Sequence, residues 1–458
     1  MTNLPARLFA TLSLGAVLPL DADSQSSDTT GVRKSYFIPA FEIVAFDAML
    51  SGFDRLVLGA EFNSNGASIR RNLRRSWVVE DDPYEINQFG HPYQGSVYHG
   101  FARSAGLSFW ESFGYTFAGS ALWEIAGETT PPSRNDQIAS GVAGAFLGES
   151  LFRIANLILE NADGPPGIRR KIASTVVSPW AAFNRGAFGE RFDAIYPSNG
   201  AVYYRRLHIG AAGTTQSVQG AATELRPNEA QFEVAMEYGL PGAPDYTYNR
   251  PFDYLAVQAT VSSANGFENI LTRGLLFGAS HDVGASYRGV WGLYGSYDYI
   301  APQIFRISST ALSLGTTGQW WLANGVALQG SALVGAGYAA VGTINGMRED
   351  DYHYGIAPQG LVATRLILGT RASLDLTGRT FFVSDVPVSN TAGHDNIARL
   401  DAALTVRLHR QRALSVKYLW SRRDALYPEL GHRTQVRGTL GVFLTFLGND
   451  RFGAVDWR

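Results

Sequence analysis

The chain has 458 residues, more than one ordinary domain needs, so at least two structural units with their own cores are expected. Charged residues make up 17% and hydrophobic residues 45%, with 50 glycines, 21 tyrosines and 9 tryptophans, a composition suited to a large antiparallel sheet with tight turns and aromatic girdles. A formal net charge of −2 supplies no field to recruit nucleic acid, and the absence of cysteine excludes disulfides, thiolate metal sites and a cysteine nucleophile.

Arg7, the apolar run Leu8 to Leu20 and the small residues Ala22 and Ser24 read as a secretory signal peptide over 1–24, with a short buried helix as the alternative. A polar linker follows over 25–34. Residues 35–185 form an expected α-helical domain. Its first helix covers Ser35 to Leu58, where Phe37, Phe41, Val44, Met49 and Phe53 recur at helical spacing. Arg70, Arg71, Arg74 and Arg75 then form a basic cluster, followed by the acidic Glu80, Asp81, Asp82 and Glu85. Such a run either holds lipid phosphates or is a solvated face neutralised by its neighbours.

Two longer helices are expected at Ala102 to Gly127 and Ala139 to Glu160, with a further one at Ile168 to Phe183. Both long helices could cross a bilayer, yet Glu111, Glu149 and Arg153 near their middles would be costly in lipid. Gly114 with Ala118, and Gly144 with Gly148, make small-residue stripes for close helix packing, so these helices are expected to pack on each other and on the barrel wall or inside its lumen.

From residue 200 the period changes from 3.6 to 2. Ala398, Leu400, Ala402, Leu404, Val406 and Leu408 alternate with polar neighbours, as do Val436, Gly438, Leu440, Val442 and Leu444. Twelve such segments begin near residues 201, 230, 252, 267, 284, 303, 325, 351, 371, 395, 412 and 431. Their ~10–16 residue lengths match tilted membrane strands, so a closed antiparallel transmembrane β-barrel over 200–446 is expected. Ten or fourteen strands stay open, and a soluble sandwich is the alternative. The last strand carries Thr439, Gly441, Leu444 and Phe446, an order that resembles the barrel-insertion signal read by the assembly machinery. The tail 447–458 has no assigned role.

The densest polar sequence lies between His91 and Arg153. Its H-x-x-x-G-S-x-Y phrase at 91–98, W-E-S at 110–112, S-x-x-D at 133–136 and G-E at 148–149 resemble an uncharacterised domain-of-unknown-function family of Gram-negative outer-membrane proteins that join such a helical segment to a barrel. The resemblance implies an outer-membrane location but no activity, so no functional residue is carried over.

On their chemistry, His91, Ser96, Glu111, Ser133 and Asp136 are the catalytic candidates, the ingredients of a hydrolase or acyltransferase without a G-x-S-x-G elbow. Arg103, Glu111, Glu124, Glu149 and Arg153 form a helical polar cluster. Ser133 with Asp136 also suits a helix cap, and Glu149 with Arg153 an i,i+4 pair. Glu124 and Glu128 would repel without a basic partner. His91 and His99 are eight apart and give no metal spacing, and Walker-type phosphate loops are absent; no metal or cofactor is expected.

Interior-facing Arg371, Arg399, Arg407, His409, Lys417 and Arg437 outnumber Asp375 and Asp401, so an acidic helical unit seated in a basic lumen, or held in the periplasm, is the expected arrangement. The leading expectation is passage or handling of a small or amphiphilic substrate at the outer membrane, with the helices as plug or gate. The alternatives are a membrane-embedded lipid hydrolase or acyltransferase and a structural or assembly factor. Outer-membrane lipids and, during insertion, the barrel-assembly machinery are the expected partners.

Overall fold

The computed structural model describes residues 34–57, 62–80, 82–160, 164–218, 225–343, 352–385, 393–427 and 431–457. The expected signal peptide and nearly all of the polar linker lie outside the described residues.

The helical domain begins with α1 (Phe37–Val57) and α2 (Gly66–Asn72). A π turn, Ile86–Gly90, leads into α3 (His91–Ser104), and α4 (Phe109–Leu122) ends in a second π turn, Trp123–Gly127. Then α5 (Arg134–Ile138), the π turn Ala139–Ala143 and α6 (Gly144–Leu159) run on as one continuous helical rod, followed by α7 (Ile168–Val177) and α8 (Pro179–Phe188). Two single-helix expectations are corrected. The Ala102–Gly127 helix breaks at Gly106, whose φ of 87° suits glycine, and restarts at a capping box in which Ser108 Oγ accepts from Glu111 N while Glu111 accepts from Ser108 N. The Ile168–Phe183 helix is interrupted at Ser178, because Pro179 cannot continue it and instead opens α8.

Twelve strands close the barrel: β1 (Tyr203–Val218), β2 (Asn228–Tyr238), β3 (Leu255–Ser262), β4 (Gly266–Val283), β5 (Tyr287–Ile300), β6 (Phe305–Ala323), β7 (Val326–Thr343), β8 (Tyr352–Leu368), β9 (Ala372–Asp385), β10 (His394–His409), β11 (Arg412–Tyr427) and β12 (Gly431–Leu447). Each pairs antiparallel with its sequence neighbours, and β1 pairs with β12, Leu207 opposite Phe446, so no edge is left open. The expected starts fall within three residues of these. Tight turns join β4–β5, β6–β7, β8–β9 and β10–β11 at one end; Asn324 and Gly325 (φ 73°) make the two-residue β6–β7 turn.

Side chains alternate across the wall. On β5, Trp291 faces out and is 58% exposed, while Tyr294, Ser296 and Asp298 face in. Leu312, Leu314, Val334, Val362, Leu400 and Val442 continue the exposed apolar exterior. At the end opposite the tight turns, the interior is filled by Ile300, Ile304, Phe305, Ile307, Val341, Phe381, Val383 and Ile397. The tail, without assignment from sequence, folds across the turn end: Gln319 Nε2 donates to Val455 O at 2.6 Å, Gln329 Nε2 to Gly453 O at 2.7 Å and Trp457 Nε1 to Ala285 O at 3.1 Å.

The helical domain meets the outside of the wall, one of the two seats expected for its long helices, and not the lumen seat expected from the charges. Phe146 packs where a Cβ on Gly295 would come within 2.6 Å of its ring, and Gly295 shares the outward face of β5 with Trp291. Trp110 stacks on the outward Phe277 at 5.2 Å, Tyr297 Oη donates to Gln88 O at 2.5 Å, and Ser150 bonds Thr272 on β4. Within the domain, α6 crosses α3 closely, since a Cβ on Gly144 would lie 2.5 Å from Gly95 Cα. That is the use of the Gly144 and Gly148 stripe, whereas Gly114 has open space around it.

Gly295→Leu is therefore expected to push the helices off the wall while leaving the barrel closed. Limited proteolysis should cut within residues 82–160 of this variant faster than in the wild type, and the barrel should keep its heat-modifiable mobility on a gel. Unchanged protection of the helices would contradict the docking.

Candidate functional site

The interior of the barrel is crossed by ion pairs of its own residues. Lys417 on β11 meets Glu233 on β2 at 2.7 Å and Asp401 at 2.8 Å; Arg365 meets Glu237 at 2.9 Å and Asp375 at 2.7 Å; Arg379 meets Asp298 at 3.3 Å; Arg437 meets Glu229 at 3.0 Å. Between the apolar fill and the tail remains a cavity of about 130 Å³, where Arg206, Arg273, Arg365, Arg379 and Arg399 face Glu237, Asp298, Asp375 and Asp401. Of the lumen residues expected from sequence, Arg399, Lys417 and Arg437 are buried inside. Arg407 lies at the rim and donates to Asp450 O, while Arg371 and His409 sit exposed at turns. The predicted positive surplus is offset by acids on β2 and β5 that sequence alternation did not pair across the lumen.

Two polar centres lie inside the helical domain. In the first, the fully buried Glu149 accepts from Arg153 Nε at 2.8 Å, His99 Nε2 at 3.1 Å and Arg103 Nη2 at 3.4 Å, and Arg103 Nε lies 2.8 Å from its carboxylate. Arg153 reaches on to Asp253 at 3.1 Å and Pro251 O at 2.7 Å in the β2–β3 connection, and it lies over the Tyr196 ring at 4.7 Å, as Arg103 and Arg250 do. Both buried carboxylates, Glu149 and Asp253, are each met by two arginines, so this network is a structural anchor.

The second centre is acidic. Carboxylate oxygens of Glu80, Glu124 and Asp136 lie within 4.8 Å of one another. Asp136 and Glu124 are buried, as is His91, whose Nε2 faces Asp136 Oδ1 at 3.9 Å while its Nδ1 lies 3.1 Å from Ser140 Oγ. Helix α5 places Asp136 one turn after its cap, where Ser133 Oγ accepts from Asp136 N, and the same Ser133 donates its N–H to Glu124 at 2.8 Å. Asn135 ties the centre to the barrel, since its Nδ2 donates to Tyr354 Oη at 2.8 Å and to Asp136 Oδ1 at 3.0 Å. Asn87 donates to Tyr352 and Tyr354 and leaves its own buried Oδ1 without a partner. Beside the centre, Glu128 accepts from Trp123 Nε1 at 2.7 Å and Thr130 Oγ1 at 3.0 Å, and burial raises its carboxyl above the ordinary range. Burial lowers His91, which favours the neutral imidazole.

Of the sequence candidates, His91, Glu124, Ser133 and Asp136 come together, whereas Arg103, Glu149 and Arg153 belong to the first network. Glu111 does not join either: it caps α4 and binds Lys34 at 3.1 Å and Tyr36 Oη at 2.6 Å. Ser96 donates to Tyr93 O within α3, and Ser133 serves as a cap, so neither hydroxyl is placed as a nucleophile on His91. Glu80, Asn87, Asn135 and Ser140 were missed. Glu80 was read only as part of an acidic run, and the S-x-x-D cap that fixes Asp136 was the one local signal pointing here.

Closed strands, an apolar exterior and a charged interior define a transmembrane β-barrel, here with a helical domain on its outer wall. Residues 76–180, the segment that carries the acidic centre, match the family model described as Domain of unknown function (DUF3943). No curated protein matches the chain. Among solved structures, the NanC porin is similar over 52% of this chain and 98% of its own at 5% identity and a TM-score of 0.27. The outer membrane channel DcaP of Acinetobacter baumannii aligns over 54% and 96% at 8% identity and 0.24, and the TodX monoaromatic hydrocarbon channel over 55% and 90% at 9% and 0.24. Likeness at that level carries no argument about activity, and the strand count rests on the pairing register.

Glu149→Ala leaves Arg103 and Arg153 buried without their shared carboxylate and should cost about 3–5 kcal/mol. The expected readout is loss of the helical transition in thermal circular dichroism, with the β signal of the barrel retained. A shift below about 1 kcal/mol would show that water already satisfies these arginines.

Proposed function

We propose that this is a bacterial outer-membrane protein whose helical domain handles an amphiphilic, lipid-like molecule in the plane of the bilayer, with the barrel as its anchor. The observation that carries the reading is the polarity of α1. Phe37, Phe41, Val44, Met49, Phe53 and Leu56 are exposed, while Glu42, Asp47, Ser51 and Asp54 are buried against the rest of the domain. Asp47 accepts from Tyr98 Oη at 2.5 Å and Glu42 from Asn184 Nδ2 at 3.3 Å. A helix in water turns its apolar stripe to the core; this one does the reverse, as suits acyl chains outside. Its 21 residues span about 31 Å at 1.5 Å per residue, close to a hydrocarbon core. The rod Arg134–Leu159 behind it is also long and apolar enough to cross.

The interior speaks against passage of solutes through the barrel. Apolar residues fill one end, the tail crosses the other and ion pairs cross between, so handling at the helical domain replaces the plug and gate reading. Insertion through the assembly machinery is consistent with β12, where Leu440, Val442 and Leu444 face outward and the Thr439, Gly441, Leu444, Phe446 order is kept.

In planar bilayers the purified protein should give no steady conductance. In nanodiscs, a photoreactive phospholipid should label Phe41, Met49 and Phe53 but not the buried face of α1. A porin-sized ohmic conductance, or labelling confined to the barrel, would sink the proposal.

A further inference from the structure

We propose that Glu80, Glu124 and Asp136, with His91, form a binding site for one divalent cation of the Mn²⁺ or Zn²⁺ kind. The first observation is geometric. Three carboxylate oxygens from three separate places in the chain lie within 4.8 Å of one another; ligands about 2.2 Å from one ion lie roughly 3–4 Å apart, so side-chain rotations of about an ångström bring all of them to one ion.

The second observation is the histidine. His91 is 5% exposed, its Nδ1 lies 3.1 Å from Ser140 Oγ, and its Nε2 stands 3.9 Å from Asp136 Oδ1. In metal sites one imidazole nitrogen is commonly oriented by a neighbour, as Ser140 orients Nδ1 here. The buried, unpartnered Oδ1 of Asn87 adds a further oxygen in the polar shell that Tyr354 and Asn135 share with Asp136.

The third is charge. Glu149 in the same domain is met by two arginines and a histidine, whereas the donors that reach Glu124 and Asp136 are neutral: the Ser133 amide and the Asn135 side chain. Glu124 and Asp136 are buried and Glu80 is half-buried; carboxylates this close repel, and a divalent cation relieves that repulsion. Carboxylate oxygens suit Mn²⁺ and an added imidazole suits Zn²⁺, and the absence of thiolates argues against softer ions.

The inference goes beyond the lipid-handling reading and does not stand or fall with it: a chain whose α1 escapes lipid labelling can still bind the ion, and a labelled chain can fail to. The test uses the full-length protein in nanodiscs, stripped with EDTA and titrated with Mn²⁺ followed by electron paramagnetic resonance, with Zn²⁺ as competitor. One equivalent should bind, and Asp136→Asn and Glu124→Gln should each weaken binding at least tenfold. Glu111→Gln, a carboxylate outside the centre, should bind as the wild type does. Thermal circular dichroism of each variant checks that its helices are folded. Wild-type protein that binds neither ion, together with an Asp136→Asn variant that melts higher than the wild type, would overturn the site and show that shared protons relieve the repulsion. Unchanged Mn²⁺ binding in folded Asp136→Asn would overturn it as well.

Discussion

Glu42, Asp47 and Asp54 lie inside the helical domain while Phe37, Phe41, Met49, Phe53 and Leu56 lie outside it, and that reversal of the usual polarity governs everything else in the molecule. In water, each exposed large apolar side chain forgoes about 1.5–3 kcal/mol of burial, and the lipid contact proposed for α1 would recover it. The barrel provides the membrane location. Its outward Trp291, Leu314 and Val334 continue the apolar surface around the wall, and the helices occupy the part of that wall where Gly295, Phe277 and Tyr297 receive them.

Once the helices are outside, the lumen must satisfy itself. Lys417 with Glu233 and Asp401, Arg365 with Glu237 and Asp375, and Arg437 with Glu229 do so across the interior. Such pairs exact a desolvation penalty that apolar residues would not, but together they hold opposite strands at fixed separation and leave little room for a solute path. The wall then acts as a rigid support. Through Tyr352 and Tyr354 it fixes Asn87 and Asn135, and through Asn135 the carboxylate of Asp136.

The barrel was legible in the sequence because its signal is local: period-2 alternation and turn residues such as Asn324-Gly325 recur strand by strand, and the twelve starts came out within three residues. The break between α3 and α4 was missed although Ser108 and Glu111 spell a capping box, because an uninterrupted apolar run outweighed it. What could not be read locally was which charges meet. The surplus of Arg399, Lys417 and Arg437 suggested an acidic guest in the lumen, yet Lys417 meets Asp401 on the neighbouring strand and Glu233 on β2, and Arg437 meets Glu229 on β2, far off in the sequence. The acidic centre was half visible. His91, Glu124 and Asp136 were singled out for their chemistry, but Glu80 joins them through the bridge between Val78 and Ser133 and through its backbone bonds to the Asn135 side chain, contacts with no signature along the chain.

The position of the helices is the claim on which the account rests, and the cysteine-free chain makes it directly accessible. Ser150→Cys combined with Thr272→Cys places one thiol on α6 and one on the outer face of β4, whereas Ser150→Cys with Ser296→Cys aims the second thiol into the lumen. The account predicts rapid disulfide formation in the first pair, in membranes and under mild oxidant, and none in the second. Cross-linking of the lumen-facing pair without the outer one would contradict it.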